Sequence, residues 1–157
     1  EDQFRSSENI YGTLDELYRK GFDFILAKLN KIQAPDHTFN SLGEPEIPEQ
    51  VITELIINAI IHRDYFIRDS IKIFLFDNRI EIISPGTLPN NLTPNQVKMG
   101  IRRTRNTLIS SFAPHIMQYR GAGSGILRSL ELYPHFDISN DVENERVVII
   151  IQRPQLR

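Results

Sequence analysis

Apolar residues recur at two periods along the chain, and each period predicts a different kind of element. Steps of three and four residues indicate amphipathic helices, whereas strict alternation of apolar and polar residues indicates β-strands. In chain order, the predicted elements are a helix over 13–30, a helix over 48–62, strands over 70–76 and 79–83, a short helix over 94–99, a helix around 108–117 bent near Pro114, a helix from about 126, and strands over 136–139 and 146–152.

This order predicts an α+β fold. We expect a two-layer sandwich with a mostly antiparallel, mixed sheet and helices on one face. The strand over 146–152 is apolar enough to be central in the sheet. The pair Asp77–Asn78 between the first two strands suits a type I′ turn, in which both residues adopt positive φ.

The helix over 48–62 carries a narrow polar seam on an otherwise apolar surface. Glu54, Asn58 and His62 follow one another at four-residue steps, so they span only about 80° of the helix circumference. Almost all remaining positions are aliphatic, which predicts a buried helix. An unpaired polar group there costs about 1–3 kcal/mol, so each of the three needs a partner. Two interpretations stay open, a solvent-facing stripe and the lining of a binding site, and we favour the second.

A run of glycines at alternate positions precedes the helix that starts near residue 126. Gly121, Gly123 and Gly125 lie in the run GAGSG. Glycine allows close approach of backbone to a ligand, and N–H groups at a helix N-terminus bind phosphate oxygens, although such a run also forms tight turns. If this loop faces the seam, Glu54 and Asn58 offer Mg²⁺ the oxygen ligands that it prefers.

The composition restricts the class of protein. With 157 residues, of which 40% are hydrophobic and 24% charged, the chain is expected to fold around one core. A formal net charge of −2 gives no global attraction to nucleic acid or to an anionic membrane. Cysteine is absent, which excludes disulfides and fits a cytoplasmic location. No apolar run is long enough to span a membrane. Because the first residue is glutamate, we expect a fragment or a processed product.

Other charged residues give weaker indications. The three arginines within 102–105 form a dense basic cluster. Three interpretations of this cluster stay open: a solvated face, a lid that neutralises phosphate charge, and a contact with nucleic acid. His62, at the end of its helix, is expected to make structural contacts rather than to catalyse. The four histidines have no metal-ligand spacing, which argues against a zinc site.

Four motifs resemble a known family, and they follow one another along the chain in the family's order. ELIINAIIH (54–62) is similar to the N-box of the GHKL ATP-binding superfamily of gyrase, Hsp90, histidine kinases and MutL, and GAGSGIL (121–127) resembles its glycine box. Together with FDNRIEIISPG and the pair Arg105–Asn106, they resemble the C-terminal HATPase_c_4-like domain of RecG-related ATP-dependent DNA helicases and of AlbA_2-containing transcriptional regulators.

The resemblance implies a Bergerat-type, GHKL-like fold that binds ATP and Mg²⁺. It implies a linker or arm over 1–12, an N-terminal helix and connecting loop over 13–46, a nucleotide-binding core over 47–153 and a tail over 154–157. DNA is an expected partner through an N-terminal domain outside this chain.

The resemblance also assigns roles to residues. Glu54 is the water-activating base and, with Asn58, a Mg²⁺ ligand. The nucleotide-binding positions are Asn58, Ser84, Gly86, Gly121, Gly123 and Gly125. Ser84 stands where the superfamily has the aspartate that reads the adenine amino group, and a hydroxyl is a weaker, neutral acceptor.

Two functions follow from these observations. The first is an ATP-binding domain, with Mg²⁺-dependent ATP hydrolysis, in a DNA-associated transcriptional regulator or RecG-related protein. The alternative is a non-catalytic regulatory or dimerisation module, a homodimer that has kept the fold and lost nucleotide binding. Helicase activity is not expected of this chain, since it has no Walker A lysine.

Overall fold

The computed structural model describes residues 4–6, 8–33, 43–116 and 125–155. In chain order, its elements are β1 (Phe4–Ser6), α1 (Leu14–Leu26), β2 (Lys31–Ile32), β3 (Glu44–Pro45), α2 (Glu49–His62), β4 (Lys72–Phe76), β5 (Arg79–Pro85), α3 (Pro94–Lys98), α4 (Thr107–Ile116), α5 (Gly125–Leu132), β6 (Phe136–Asp141) and β7 (Arg146–Gln152).

Five strands form one sheet in the order β1-β4-β5-β7-β6, and all of its neighbouring strands are antiparallel. β7 lies between β5 and β6, which confirms the central position predicted from its apolar sequence. Its register places Ile151 opposite Ile80 and Ile149 opposite Ile82. Side chains alternate between the two faces of a sheet, so these four isoleucines share one face, and all four are buried.

Helices cover that buried face, with α2 against the sheet and α1 packed on α2. The aliphatic side chains of α2 are buried almost all round, as the sequence predicts. Gly21 of α1 lies where the two helices meet, since a carbon added there would be 3.9 Å from Ile56. The predicted α+β fold, a two-layer sandwich with helices on one face of an antiparallel sheet, is confirmed.

Local sequence signals begin and end several of these elements. The Thr13 hydroxyl accepts a hydrogen bond from the Glu16 N–H, and the Glu16 carboxylate accepts one from the Thr13 N–H, which caps α1. Thr93 and Gln96 form the same arrangement at α3. Gly100 follows α3 with a φ of 84°, a conformation that favours glycine.

The turn between β4 and β5 differs from the prediction. The hairpin is confirmed, with Leu75 opposite Ile80, but neither Asp77 nor Asn78 has a positive φ, so the type I′ turn is wrong. A tertiary contact supplies the reason. The Asn78 carbonyl accepts a hydrogen bond of 2.8 Å from the N–H of Arg153, at the end of β7.

Three short segments depart from the predicted pattern or extend it. Residues 4–6 pair with β4, so part of the N-terminal arm adds a strand to the sheet. The helix predicted over 13–30 ends at Leu26, and β2 then pairs with β3 in a small sheet that the sequence does not predict. The sequence also predicts a short extended segment over 37–39, and these residues lie outside the described ranges.

A buried ion pair joins the chain before α2 to the chain after β7. Arg153 Nε donates to Glu46 Oε1 at 2.8 Å, and its other nitrogens donate to the carbonyls of Phe76 and Lys28. The Glu46 carboxylate also accepts from the Asn30 side chain at 3.0 Å. These contacts attach the loop before α2 to the sheet that α2 covers.

None of the helices in the described ranges has the length and the hydropathy that crossing a membrane would require.

Candidate functional site

A cavity that opens to solvent lies between α2 and the inner face of the sheet. Its floor is apolar and comes from three strands, with Ile82, Ile138, Val147 and Ile149. The rest of the described lining is Asn58, Ala59, His62, Ser84, Gly86, Thr87, Leu88, Pro89, Leu92, Val97, Gly100, Ile101, Arg102, Arg103, Gly125 and Ile126.

Glu54 and Asn58 form one hydrogen-bonded unit on α2. The Asn58 Nδ2 group donates to Glu54 Oε1 at 2.7 Å and to the Glu54 backbone carbonyl at 2.8 Å. Both amide protons are then in use, so Oδ1 of Asn58 is left as an acceptor or a metal ligand. The Glu54 side chain is buried, with 8% of the residue exposed. The four-residue spacing seen in the sequence thus brings a carboxylate and an amide oxygen together.

Gly125 starts α5 directly against this unit. A Cβ atom built on Gly125 would lie 1.6 Å from Oε1 of Glu54 and 1.9 Å from its Cδ, closer than any non-bonded contact. A side chain at position 125 would therefore displace the Glu54 carboxylate or the start of α5. Gly121 and Gly123, also predicted for this site, lie outside the described residues.

Ser84 lies on the inner face of β5, beside the apolar floor. Its register partner on β7 is Val147, which also lines the cavity. The Ser84 hydroxyl donates to the Ala59 carbonyl of α2 at 3.0 Å, and Ser84 is buried. The hydroxyl lone pairs remain available as acceptors.

Gly86 turns the chain away from β5 at the edge of the cavity. Its φ is 98°, and a Cβ atom there would lie 2.5 Å from Cβ of Asp64. Both observations require glycine. Its N–H donates to the Glu145 carbonyl at 2.7 Å. Gly86 thus allows the loop after β5 to pass against the end of α2.

His62 lies in the wall of the cavity. Burial and, to a smaller extent, the positive charges of Arg102 and Arg105 together lower its pKa from 6.5 to about 4. The imidazole is therefore neutral at pH 7 and offers one nitrogen as a donor and one as an acceptor. The sequence places His62 on the polar seam of this helix and expects it to make structural contacts at the helix end, and the structure puts it in the cavity wall.

The basic cluster divides into two parts. Arg102 and Arg103 are exposed and line the cavity, whereas the Arg105 guanidinium donates to the Asp64 carboxylate and to the Thr87 carbonyl. The interpretation as a solvated face therefore holds for only part of residues 102–105. Arg105 holds the segment that carries the two exposed arginines against the loop after β5.

Asn106 performs the helix-end role that the sequence suggests for His62. Its Nδ2 group donates to the carbonyls of Ile61 and Arg63, at 2.8 and 2.7 Å. The last carbonyls of a helix have no partner within the helix, and Asn106 supplies one. The segment after Gly100 is thereby attached to the C-terminal end of α2.

The loop from β5 to α3 forms the remaining wall. The Leu88 N–H donates to the Asn140 side chain of β6 at 2.9 Å, and Leu92 is buried. Leu92 and Val97 line the cavity, which the sequence did not reveal. The alternation in β7 could have identified Val147 and Ile149, because it marks their shared face.

The described residues contain no cluster of three His, Asp or Glu side chains that could hold a metal ion. The oxygens of Glu54 and Asn58 are of the type that Mg²⁺ prefers, and Mg²⁺ commonly completes its shell with phosphate oxygens and water. The donor set therefore fits Mg²⁺ that arrives with a phosphate ligand.

The structure is a two-layer α+β domain with a cavity between one helix and the sheet. The profile of the family described as "Putative ATP-dependent DNA helicase recG C-terminal" (HATPase_c_4) matches residues 69–149, just over half of the chain. The chain belongs to this family. The match begins after α2, so the family assignment does not itself include Glu54 or Asn58.

A solved structure shows the same fold. The crystal structure of the DIP2311 protein from Corynebacterium diphtheriae is similar with a TM-score of 0.62 and 24% sequence identity, over 71% of this chain and 25% of that chain. The matched part of this chain thus spans about a quarter of the length of that protein chain. A search of curated proteins gives no significant match.

Proposed function

We propose that this chain is the nucleotide-binding domain of a DNA-associated regulator and that its cavity binds ATP with Mg²⁺. The observation that carries the proposal is the contact of Gly125 with Glu54. It brings the first turn of α5, in which N–H groups have no acceptor within the helix, next to the unit of Glu54 and Asn58, and Asn58 lines the cavity. The family description, which names an ATP-dependent enzyme, supports the same chemistry.

The two ends of the cavity suit the two ends of a nucleotide. The aliphatic floor, with Ile82 and Ile149, offers an apolar surface to a base, beside Ser84. The triphosphate lies at the N-terminus of α5, where helix N–H groups and the helix dipole favour negative charge. Gly121 and Gly123, in the run before α5, complete the phosphate loop in this proposal.

Mg²⁺ would be held by Oδ1 of Asn58 and by Glu54, together with phosphate oxygens. The ion neutralises charge on the phosphates when it is bound. Glu54 is also proposed as the base that accepts a proton from the attacking water. The hydrogen bond from Asn58 orients this carboxylate, so Asn58 serves both the ion and the base.

Calorimetric titration with ATP and Mg²⁺, followed by a phosphate-release assay, tests the proposal. We expect wild-type binding in the millimolar range or tighter, weaker binding by at least about tenfold in Asn58→Ala, and loss of turnover by about 100-fold in Glu54→Gln with binding retained. Glu49→Gln, an exposed carboxylate on the same helix, is the matched control and should behave as wild type. Absence of binding at millimolar ATP would refute the proposal.

A second candidate is the non-catalytic regulatory or dimerisation module. It is favoured by Ser84, whose proton is already donated to the Ala59 carbonyl. Against it, the cavity remains open, whereas a site that had lost its ligand would be expected to fill with side chains. Light scattering with and without ATP separates the two candidates, because this module forms a dimer that ignores nucleotide.

The context of the whole protein is also part of the proposal. We propose that the arm over 1–12 and the helix and loop over 13–46 precede a core over 47–153, with a tail over 154–157. In this proposal the domain acts in the cytoplasm, and DNA is bound by a domain outside this chain. Gel-shift assays on the full-length protein with and without ATP test whether nucleotide alters DNA binding.

A further inference from the structure

The polar groups around the cavity differ in whether they can donate, accept or do both. Arg102 and Arg103 only donate, whereas the Ser84 hydroxyl and the neutral His62 imidazole can do both. The described lining contains no aspartate or glutamate. Thus no side chain on the described wall is a negatively charged group that can only accept hydrogen bonds.

The hydrogen-bonding groups of the cavity affect which purine base it can bind. A fixed acceptor favours the amino group of adenine and rejects the carbonyl oxygen that guanine and hypoxanthine carry at the same position. A hydroxyl accepts from the amino group, and by turning its proton it also donates to the carbonyl. Ser84 is buried next to the floor formed by Ile82, so a base on that floor meets this hydroxyl.

The Ala59 carbonyl sets the cost of such a turn. It accepts the Ser84 proton at 3.0 Å. If that proton moves to a ligand carbonyl, the bond to Ala59 is lost, so Ser84 makes one hydrogen bond with a 6-oxo purine and two with adenine. The loss of one neutral hydrogen bond weakens binding by about tenfold at most. A carboxylate at the same place would have no proton to turn.

We infer that the site accepts 6-oxo purine nucleotides as well as ATP, and that Ser84 sets this relaxed base selectivity. The inference rests on the proposed nucleotide-binding function and deepens it. It concerns only the base, since the contacts proposed for the phosphates, at Asn58 and Gly125, are shared by all purine nucleotides.

Competition binding tests the inference. The probe is an ATP analogue with its fluorophore on the ribose, displaced by ATP, ITP or GTP at constant Mg²⁺. ATP and ITP differ only in the amino and carbonyl groups at the discriminating position. We expect their dissociation constants to agree within about tenfold in the wild type, whereas a preference for ATP above about 100-fold would overturn the inference.

Two variants assign the effect to Ser84. Ser84→Asp should shift the ratio towards ATP by at least about tenfold, because a carboxylate accepts from the amino group and repels the carbonyl. Ser84→Ala should weaken both nucleotides and leave their ratio near one. Thermal unfolding shows whether Ser84→Asp is folded. If it is folded and the ratio of its ATP and ITP dissociation constants is unchanged, the assignment to Ser84 is overturned. If it does not fold, the wild-type ratio still tests the inference. Failure of the probe itself to bind would instead refute the nucleotide-binding function.

Discussion

Replacement of Gly125 by alanine tests the contact on which the proposed site depends. The added carbon would lie 1.6 Å from Oε1 of Glu54 and 2.4 Å from Oε2, so the carboxylate or the start of α5 must move. Movement of the carboxylate breaks its 2.7 Å hydrogen bond with Asn58. Hydrogen bonds to charged groups contribute about 1.5–3 kcal/mol, so we expect Gly125→Ala to lower the free energy of unfolding by about 2 kcal/mol.

Urea unfolding measures this change, and Gly21→Ala is its matched control. Gly21 is also a helical glycine, but a carbon added there would lie 3.7 Å from its nearest neighbour, Ile73, an ordinary contact. Gly21→Ala should therefore stabilise the protein by about 0.5–1 kcal/mol, through the higher helix propensity of alanine. The same substitution should thus have opposite effects at the two positions.

A double-mutant cycle identifies Glu54 as the cause. In Glu54→Ala the carboxylate is absent, so the alanine at position 125 fits, and the cost of Gly125→Ala should fall by about 1–2 kcal/mol. An equal cost in both backgrounds would show that the carboxylate is not what excludes a side chain. The account of the site would then be refuted.

Three further predictions concern the supports of the cavity. Arg153→Met should cost about 3–5 kcal/mol in urea unfolding, because it leaves the buried Glu46 carboxylate without its ion-pair partner. The folded-state pKa of His62 is about 4 and the unfolded value is 6.5, so the unfolded chain binds the proton first as the pH falls. The free energy of unfolding should therefore decrease by about 2 kcal/mol from pH 7.5 to 5, and His62→Gln should lose this part of the pH dependence. Asn106→Ala should cost about 1–3 kcal/mol, because two carbonyls at the end of α2 lose their donor, whereas Asn144→Ala, in an exposed turn, should change stability by less than about 0.5 kcal/mol.

The fold could be predicted where periodicity and capping act locally. The helix over 49–62, the strand over 146–152 and the Thr93 cap all follow from residues within or next to the element. The prediction of a type I′ turn at Asp77–Asn78 was wrong, because the turn is bound by Arg153, which is distant in sequence. Local propensity cannot represent such a contact.

The candidate site also combines contacts that follow from the local sequence with contacts between distant residues. Glu54 and Asn58 are one helical turn apart, so the sequence alone brings them together. The bond between Ser84 and Ala59 and the attachment of Asn106 to Ile61 join residues far apart in the chain, so neither contact follows from the local sequence.

A structure of the chain with a non-hydrolysable ATP analogue and Mg²⁺ bound is the decisive test of the proposed nucleotide site. We expect the triphosphate at the N-terminus of α5, between Gly125 and Asn58, and the base on the floor formed by Ile82 and Ile149, next to Ser84. An analogue bound outside this cavity, or bound with its triphosphate at the floor and its base at Gly125, would refute the proposed site.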